Sequence, residues 1–281
     1  MIIRCARPDD LDFFVECVTH EGWLSETRTV FQAFLAHNPR GCFVGEINTQ
    51  PIAMGVATSY GECGFIGELI VVPSQRGRGL GTRFMQHAIE WLHAEGCQCI
   101  YLDGDLPAVP IYEKLGFRAI TRSLRFLGHV GGIASNNILT ITDAILPTLL
   151  SEDRRTFGAD RSFFLKHRLE AFPRLCLVEM INGAPVGFIM GQSGHGVVSV
   201  GPWLMIDASA DPLPLLHALA EAGGNQKLRI GVLESNHVAT ALMRSVPTLS
   251  ETEPSIRMVL GSDCELGASP QLFAVGAPSK G

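Results

Sequence analysis

No apolar stretch in these 281 residues approaches the roughly 18 that a membrane span requires, so no transmembrane role is expected. The opening Met1-Ile2-Ile3-Arg4 runs straight into a strand-like segment without a secretory pattern, and a cytoplasmic location is expected. No basic stripe is present: 22 lysines and arginines face 28 acidic residues, for a net charge of −6. Nucleic acid is therefore a poor partner, because phosphate contacts need clustered cations, while the overall field weakly favours a cationic small molecule. The eight cysteines include no Cys-x-x-Cys, and Cys97 and Cys99 stand too close for the usual zinc spacing. No metal is implied, and reduced, mostly buried thiols are expected. Two nucleotide signatures are missing as well. There is no Gly-Lys-Ser/Thr tripeptide, and no Gly-x-Gly-x-x-Gly after the first strand.

What is there is a hydrophobic content of 46% with 18% charged residues, the balance of a globular protein with a substantial core. The length suits one large or two ordinary domains. The most informative stretch is Gln75-Arg76-Gly77-Arg78-Gly79-Leu80-Gly81-Thr82. It lies between the apolar run Phe65–Val72, with the continuity of a strand buried on both faces, and an amphipathic run from Leu80 to Glu95. A strand that turns through glycines into a helix aims several free N–H groups at one point, at the positive end of the helix dipole. That point suits a phosphate chain, with Arg76 and Arg78 adding charge.

The residues before and after this loop predict a strand at Ile2–Cys5, a helix opened by Pro8, a second helix at Val30–Ala36, and a hairpin of Cys42–Ile47 with Ile52–Thr58. After the loop helix come a strand at Cys99–Leu102, a short helix at Val109–Leu115 and a strand at Phe117–Phe126. With Arg76, Gly79 and Gly81 as Arg-x-x-Gly-x-Gly, and Tyr112 to Phe117 as Tyr-x-x-x-Gly-Phe, residues 1–128 resemble a GNAT acetyltransferase module.

The resemblance implies acetyl-CoA as co-substrate and an amine as acceptor. The pyrophosphate would lie on Arg76, Gly77, Arg78, Gly79, Leu80, Gly81 and Thr82. The pantetheine arm would pair with the backbone of Leu69, Ile70, Val71 and Val72. Asp105 stands where the family usually has an asparagine that bonds this arm or the helix start; aspartate can cap a helix but cannot donate. Tyr112 matches the tyrosine that lies near the CoA sulfur and donates to the leaving thiolate. Glu68 is the candidate base, although the family's carboxylate falls at the phase of Gly67 unless a bulge shifts it. His20, Glu21 and Trp23 fall in the loop that lines the acceptor site in the family, and His20 and Glu21 are alternative bases.

The second half echoes the first. Asn236, Ala239, Leu242 and Met243 repeat the spacing of Asp105, Ala108, Ile111 and Tyr112 at an offset of 131 residues, and Ser255–Met258 repeats Ser123–Phe126 at 132. A duplicated module is expected. Between Val198 and Leu219, however, there is no arginine and no Gly-x-Gly, and Met243 replaces Tyr112. The expected architecture is an α/β (α+β) protein of two GNAT-like modules, each a mixed, mostly antiparallel sheet flanked by helices. Its parts would be a catalytic module at 1–128, a linker at 129–137, a degenerate module at 138–262 opened by a helix at Ile141–Leu150, and a tail at 263–281. One acetyl-CoA per chain is then expected. The expected activity is N-acetyl transfer to a small-molecule amine. A non-catalytic acyl-CoA sensor and a two-module enzyme on the plan of mycothiol synthase are the alternatives.

Overall fold

A computed structural model describes residues 1–23, 26–132, 135–262 and 264–276. Ile133 and Ala134 of the expected linker, and Asp263 and residues 277–281 of the expected tail, lie outside these. The elements of the first half are β1 (Ile2–Cys5), α1 (Leu11–His20), α2 (Arg28–His37), β2 (Cys42–Ile47), β3 (Gln50–Ser59), β4 (Cys63–Val71), α3 (Leu80–Ala94), β5 (Cys99–Asp105), α4 (Val109–Lys114) and β6 (Arg118–Gly128). The second half continues with β7 (Ile138–Thr140), α5 (Leu146–Phe157), α6 (Ser162–Ala171), β8 (Cys176–Ile181), β9 (Ala184–Gly194), β10 (Val197–Met205), α7 (Leu213–Ala222), β11 (Lys227–Leu233), α8 (His237–Ser245), β12 (Leu249–Gly261) and β13 (Leu272–Ala274). Among the described residues no helix is long and apolar enough to cross a membrane.

The chain divides into two compact units. The first holds Met1–Ile120 and Ile256–Cys264; the second holds Thr121–Ser255 and the segment from Glu265. In the first unit the strand order is β1-β2-β3-β4-β5, and the later half of β12 lies beside β5. The β2–β3 hairpin turns at Asn48 and Thr49, both with φ near +50° to +64°, the conformation that matches the twist of the paired strands. Helix α3 presents Phe84, Met85, Ala88 and Leu92 at helical spacing to Ala53, Ala57 and Ile66 of the sheet. The alternate residues Met54, Val56 and Phe65 are equally buried, and α1 packs on β3 and β4. Both faces are therefore covered, as the continuous apolar run of β4 requires. Arg257 of β12 forms a fully buried pair with Asp103 of β5, one of its contacts being 3.1 Å.

The second unit repeats the plan as β7-β8-β9-β10-β11, with β6 beside β11 in the register Leu228–Gly128 to Leu233–Ser123. Its core gathers Leu124, Phe126, Ile189, Trp203, Leu219 and Ile230. In each unit, then, the strand after the parallel pair comes from the other half of the sequence.

Two local expectations are corrected. The helix expected at Ile141–Leu150 begins only at Leu146, and a short strand, β7, precedes it and pairs with β8. Pro147 explains the shift, since proline fits a helix only in its first turn. The strand expected at Phe117–Phe126 runs instead from Arg118 to Gly128.

Candidate active site

The glycine-rich loop leaves β4 through a single 3-10 turn, Pro73–Gln75, and enters α3 at Gly79. Gly77 and Gly79 have φ of +74° and +72°, a conformation that side chains resist, so glycine is what allows the chain to reverse so tightly into the helix. Among the described residues, the backbone N–H groups of 77–82 make no hydrogen bond. The first turn of any α-helix leaves such donors over, and here they are joined by those of the turn before it. Nothing lies within 4 Å of a Cβ built on Gly77 or Gly79, so a ligand could approach the backbone closely. Such an arrangement of donors could cradle an anion.

Arg76 does not extend into this cradle. Its Nε donates to the Val71 carbonyl at 2.8 Å and its Nη2 meets Glu21 at the end of α1. Arg78 turns back onto Gln75. His20 Nδ1 lies 3.6 Å from the same Glu21 carboxylate. The structure thus brings His20, Glu21 and Arg76 together, and Glu21 holds the loop instead of standing clear as a base. Trp23 comes next in the turn that ends α1, its N–H donating to Val18 at 2.9 Å, with its side chain half-buried.

The second component is a divergence of strands. β4 and β5 pair in parallel at Cys63–Cys99, Gly64–Ile100 and Phe65–Tyr101. Both strands continue, to Val71 and Asp105, with no further ladder pairs between them. The cause is visible on the other side of β4. Against β3 the register passes from Val56–Gly67 to Met54–Ile70, so that Glu68 and Leu69 together oppose Gly55. This is a β-bulge, which bends and twists its strand. Glu68 is the bulged residue, with φ +54° and 4% exposure. Holding a non-glycine residue there costs about 1–2 kcal/mol, a strain of the kind that clusters at functional sites. Beyond the bulge, Ile70 and Val71 pair with β3 by one edge, leaving the edge toward β5 open to an extended ligand.

Tyr112 of α4 packs on β5. Its ring lies so close over Gly104 that a Cβ there would come within 2.7 Å of Cε2, so only glycine fits beneath it. Phe117 holds the ring edge-on at 6.3 Å. Burial, with a smaller contribution from the Asp105 charge, pushes the Tyr112 hydroxyl up to about 12. Asp105 heads the 3-10 turn before α4 without a side-chain capping bond.

Sequence spacing missed one cluster. Cys63, Cys99 and Cys264 come from three separate segments, yet their sulfurs lie within 4.8 Å of one another. Burial pushes Cys63 up to about 11 and Cys99 higher still, so both are held as thiols. They sit at the paired end of β4 and β5, away from the divergence. Six of the eight cysteines are buried and all are free.

Comparison with known proteins shows the same division. A model of the acetyltransferase (GNAT) family matches residues 9–117, and one of an acetyltransferase (GNAT) domain matches 149–274. Glucosamine 6-phosphate N-acetyltransferase of Trypanosoma brucei brucei is 36% identical over 89 residues, covering 32% of this chain and 60% of that protein. An uncharacterised N-acetyltransferase of Methanocaldococcus jannaschii is 28% identical over 138 residues, 41% of this chain and 59% of that protein. The chain thus spans about three fifths of the curated relatives it matches. Among solved structures, a Pyrococcus horikoshii protein named provisionally as an acetyltransferase shares the fold over 100% of this chain and 95% of its own, with a TM-score of 0.83 and 22% identity. A tandem GNAT protein from the clavulanic acid biosynthesis pathway does so over 93% and 99%, with a TM-score of 0.64 and 11% identity. The chain belongs to the GNAT acetyltransferase family and carries two GNAT modules in tandem.

Proposed function

We propose that the first unit transfers an acetyl group from acetyl-CoA to the neutral amine of a small molecule, by direct attack. The observation that carries this reading is the presence, within one unit, of the donor-rich loop, the open β4 edge beyond the bulge, and Tyr112 packed over β5. The pyrophosphate would lie on the N–H groups of 77–82, and the pantetheine arm along Leu69–Val72. Arg76 would brace the loop through Val71 and Glu21.

In this scheme the amine nitrogen attacks the thioester carbonyl carbon, the C–S bond breaks, and CoA leaves as the thiolate. An amine of ordinary pKa of about 10.4 requires about 4.6 kcal/mol to be neutral at pH 7, so a proton acceptor is needed. Glu68 would take that proton through a water molecule. The hydroxyl of Tyr112, at about 12, is a much weaker acid than a thiol, whose reference value is about 8.5. It would therefore stabilise the thiolate as a hydrogen-bond donor and keep its proton.

This role carries a pH signature. Tyr112→Phe should lower kcat about 10- to 100-fold, the worth of a hydrogen bond to a charged group. Because the hydroxyl is protonated everywhere below about 12, the wild-type rate should show no fall from Tyr112 between pH 7 and 10, and the variant's profile should run parallel to it. A variant that differs only above pH 8 would contradict this role.

For the acceptor we favour an amino sugar phosphate, on the strength of the 36% identity to an enzyme that acts on glucosamine 6-phosphate. Thiol release should be measured with that compound, polyamines and amino-acid derivatives as acceptors. The expected result is turnover with the amino sugar phosphate at least about tenfold above the other amines in kcat/KM, about 1.4 kcal/mol of discrimination. Tight CoA binding with no thiol release from any amine would make the chain a sensor instead.

A further inference from the structure

The second unit builds the same bulge in the same place. Against β9, β10 passes from Val200–Gly191 to Trp203–Ile189, so that Gly201 and Pro202 oppose one residue, as Glu68 and Leu69 do on β4. Its parallel ladder with β11 likewise ends at Val200–Ile230. The two units differ past this point. Beyond the β10 bulge, Trp203 and Leu204 pair antiparallel with Ala274 and Leu272 of β13. Leu272, Phe273, Ala274 and Val275 are all buried, and the Phe273 ring lies 5.2 Å from that of Trp203.

We propose that the chain's own segment 269–276 fills the second unit's donor groove, lying where a pantetheine arm would lie, and closes that groove to acyl-CoA. This rests on the reading that the corresponding gap of the first unit takes acetyl-CoA. Three sets of contacts support it. The Asn236 side chain, at the start of α8, donates to the carbonyls of Ser269, Pro270 and Leu272 at 3.3, 3.3 and 3.0 Å, while its oxygen accepts from the Ala239 N–H at 3.0 Å. Asn236 is the counterpart of Asp105, which cannot donate in this way. Next, the Met205 N–H donates to the Gln271 carbonyl, and the Gln271 side chain donates back to Met205 and Ile206, each at 2.9 Å. Arg161, itself paired with Asp153 at 2.8 Å, donates to the Val275 carbonyl.

A peptide strand is a chemical match for this place. Pantetheine is an extended chain with two amides, and a strand offers amides of the same polarity at a sheet edge. Filling the groove also satisfies edge groups of β10 that would otherwise be left open. The bulge glycine fits this occupant: a Cβ on Gly201 would come within 2.6 Å of Gly276. Where the first unit has a carboxylate, this one has the backbone of its own occupant.

Hydrogen exchange on the full-length protein, with and without saturating acetyl-CoA, tests the proposal. Amides of Leu272–Ala274 should be protected in both states and change less than twofold, while those of residues 77–82 gain protection. In parallel, calorimetry should give one equivalent of acetyl-CoA per chain. Asn236→Ala should lower protection at Leu272–Ala274 at least tenfold without altering acetyl-CoA affinity. Loss of protection at 272–274 on adding acetyl-CoA, or a second equivalent bound, would overturn the proposal. No binding heat and no response at 77–82 would instead overturn the reading of the first unit, and this one with it.

Discussion

Replacing Glu68 with glutamine should lower kcat by about 10²–10⁴ at pH 7 and leave KM for acetyl-CoA within about twofold, if Glu68 is the base. The substitution keeps the volume of the side chain and its tolerance, or intolerance, of φ +54°. The bulge should therefore survive, and with it the opening of β4 from β5. Glu68→Gly separates the two contributions. Glycine relieves the left-handed strain, worth about 1–2 kcal/mol, so this variant should fold at least as well while losing the same activity. Steady-state kinetics and a thermal melt on both variants decide the matter. A kcat within threefold of wild type in Glu68→Gln would show that some other group, or water alone, accepts the proton.

Gly79→Asp should raise KM for acetyl-CoA at least about 100-fold, equivalent to about 2.7 kcal/mol of binding. The added carboxylate would lie at the N-terminus of α3, among the donors that the pyrophosphate requires, and would compete for them and repel it. The fold should tolerate the change. Nothing lies within 4 Å of the new Cβ, aspartate is among the residues that accept positive φ, and an acid suits a helix start. Gly79→Asn serves as the control, with the same shape and no charge, and its effect should be several-fold smaller. Equal losses in the two variants would trace the effect to shape. A KM unchanged in both would remove acetyl-CoA from this loop.

Much of this site was legible because its signals are local. The glycine loop, the continuous apolar strand before it and the Tyr112–Phe117 segment each declare themselves within ten residues, and the first-half element order comes from hydrophobic period and turn residues. Strand ends drifted by one to three residues, as with β5, which runs to Asp105 and not Leu102. What sequence could not show was non-local. The phase of Glu68 depends on the register of β4 against β3, and no rule of alternation survives a bulge. The tie between Arg76 and Glu21 spans 55 residues, and the three-thiol cluster joins three segments. The second module's altered loop was a local reason to doubt its chemistry. Nothing local hinted that β13 lies on β10, since a three-residue strand carries almost no periodicity.

The exchange of outer strands has a consequence for how the protein must be made. The first unit's sheet ends on residues 256–261, and its buried Asp103 is neutralised by Arg257. A chain emerging from the ribosome holds the loop, the bulge and Tyr112 long before that strand exists, and must wait with an open edge and a bare internal carboxylate. Neither half can be cut out as a gene fragment and be expected to fold alone. The duplication has become a single unit of inheritance, in which damage to the strand around Arg257 is felt beside the first module's active strands.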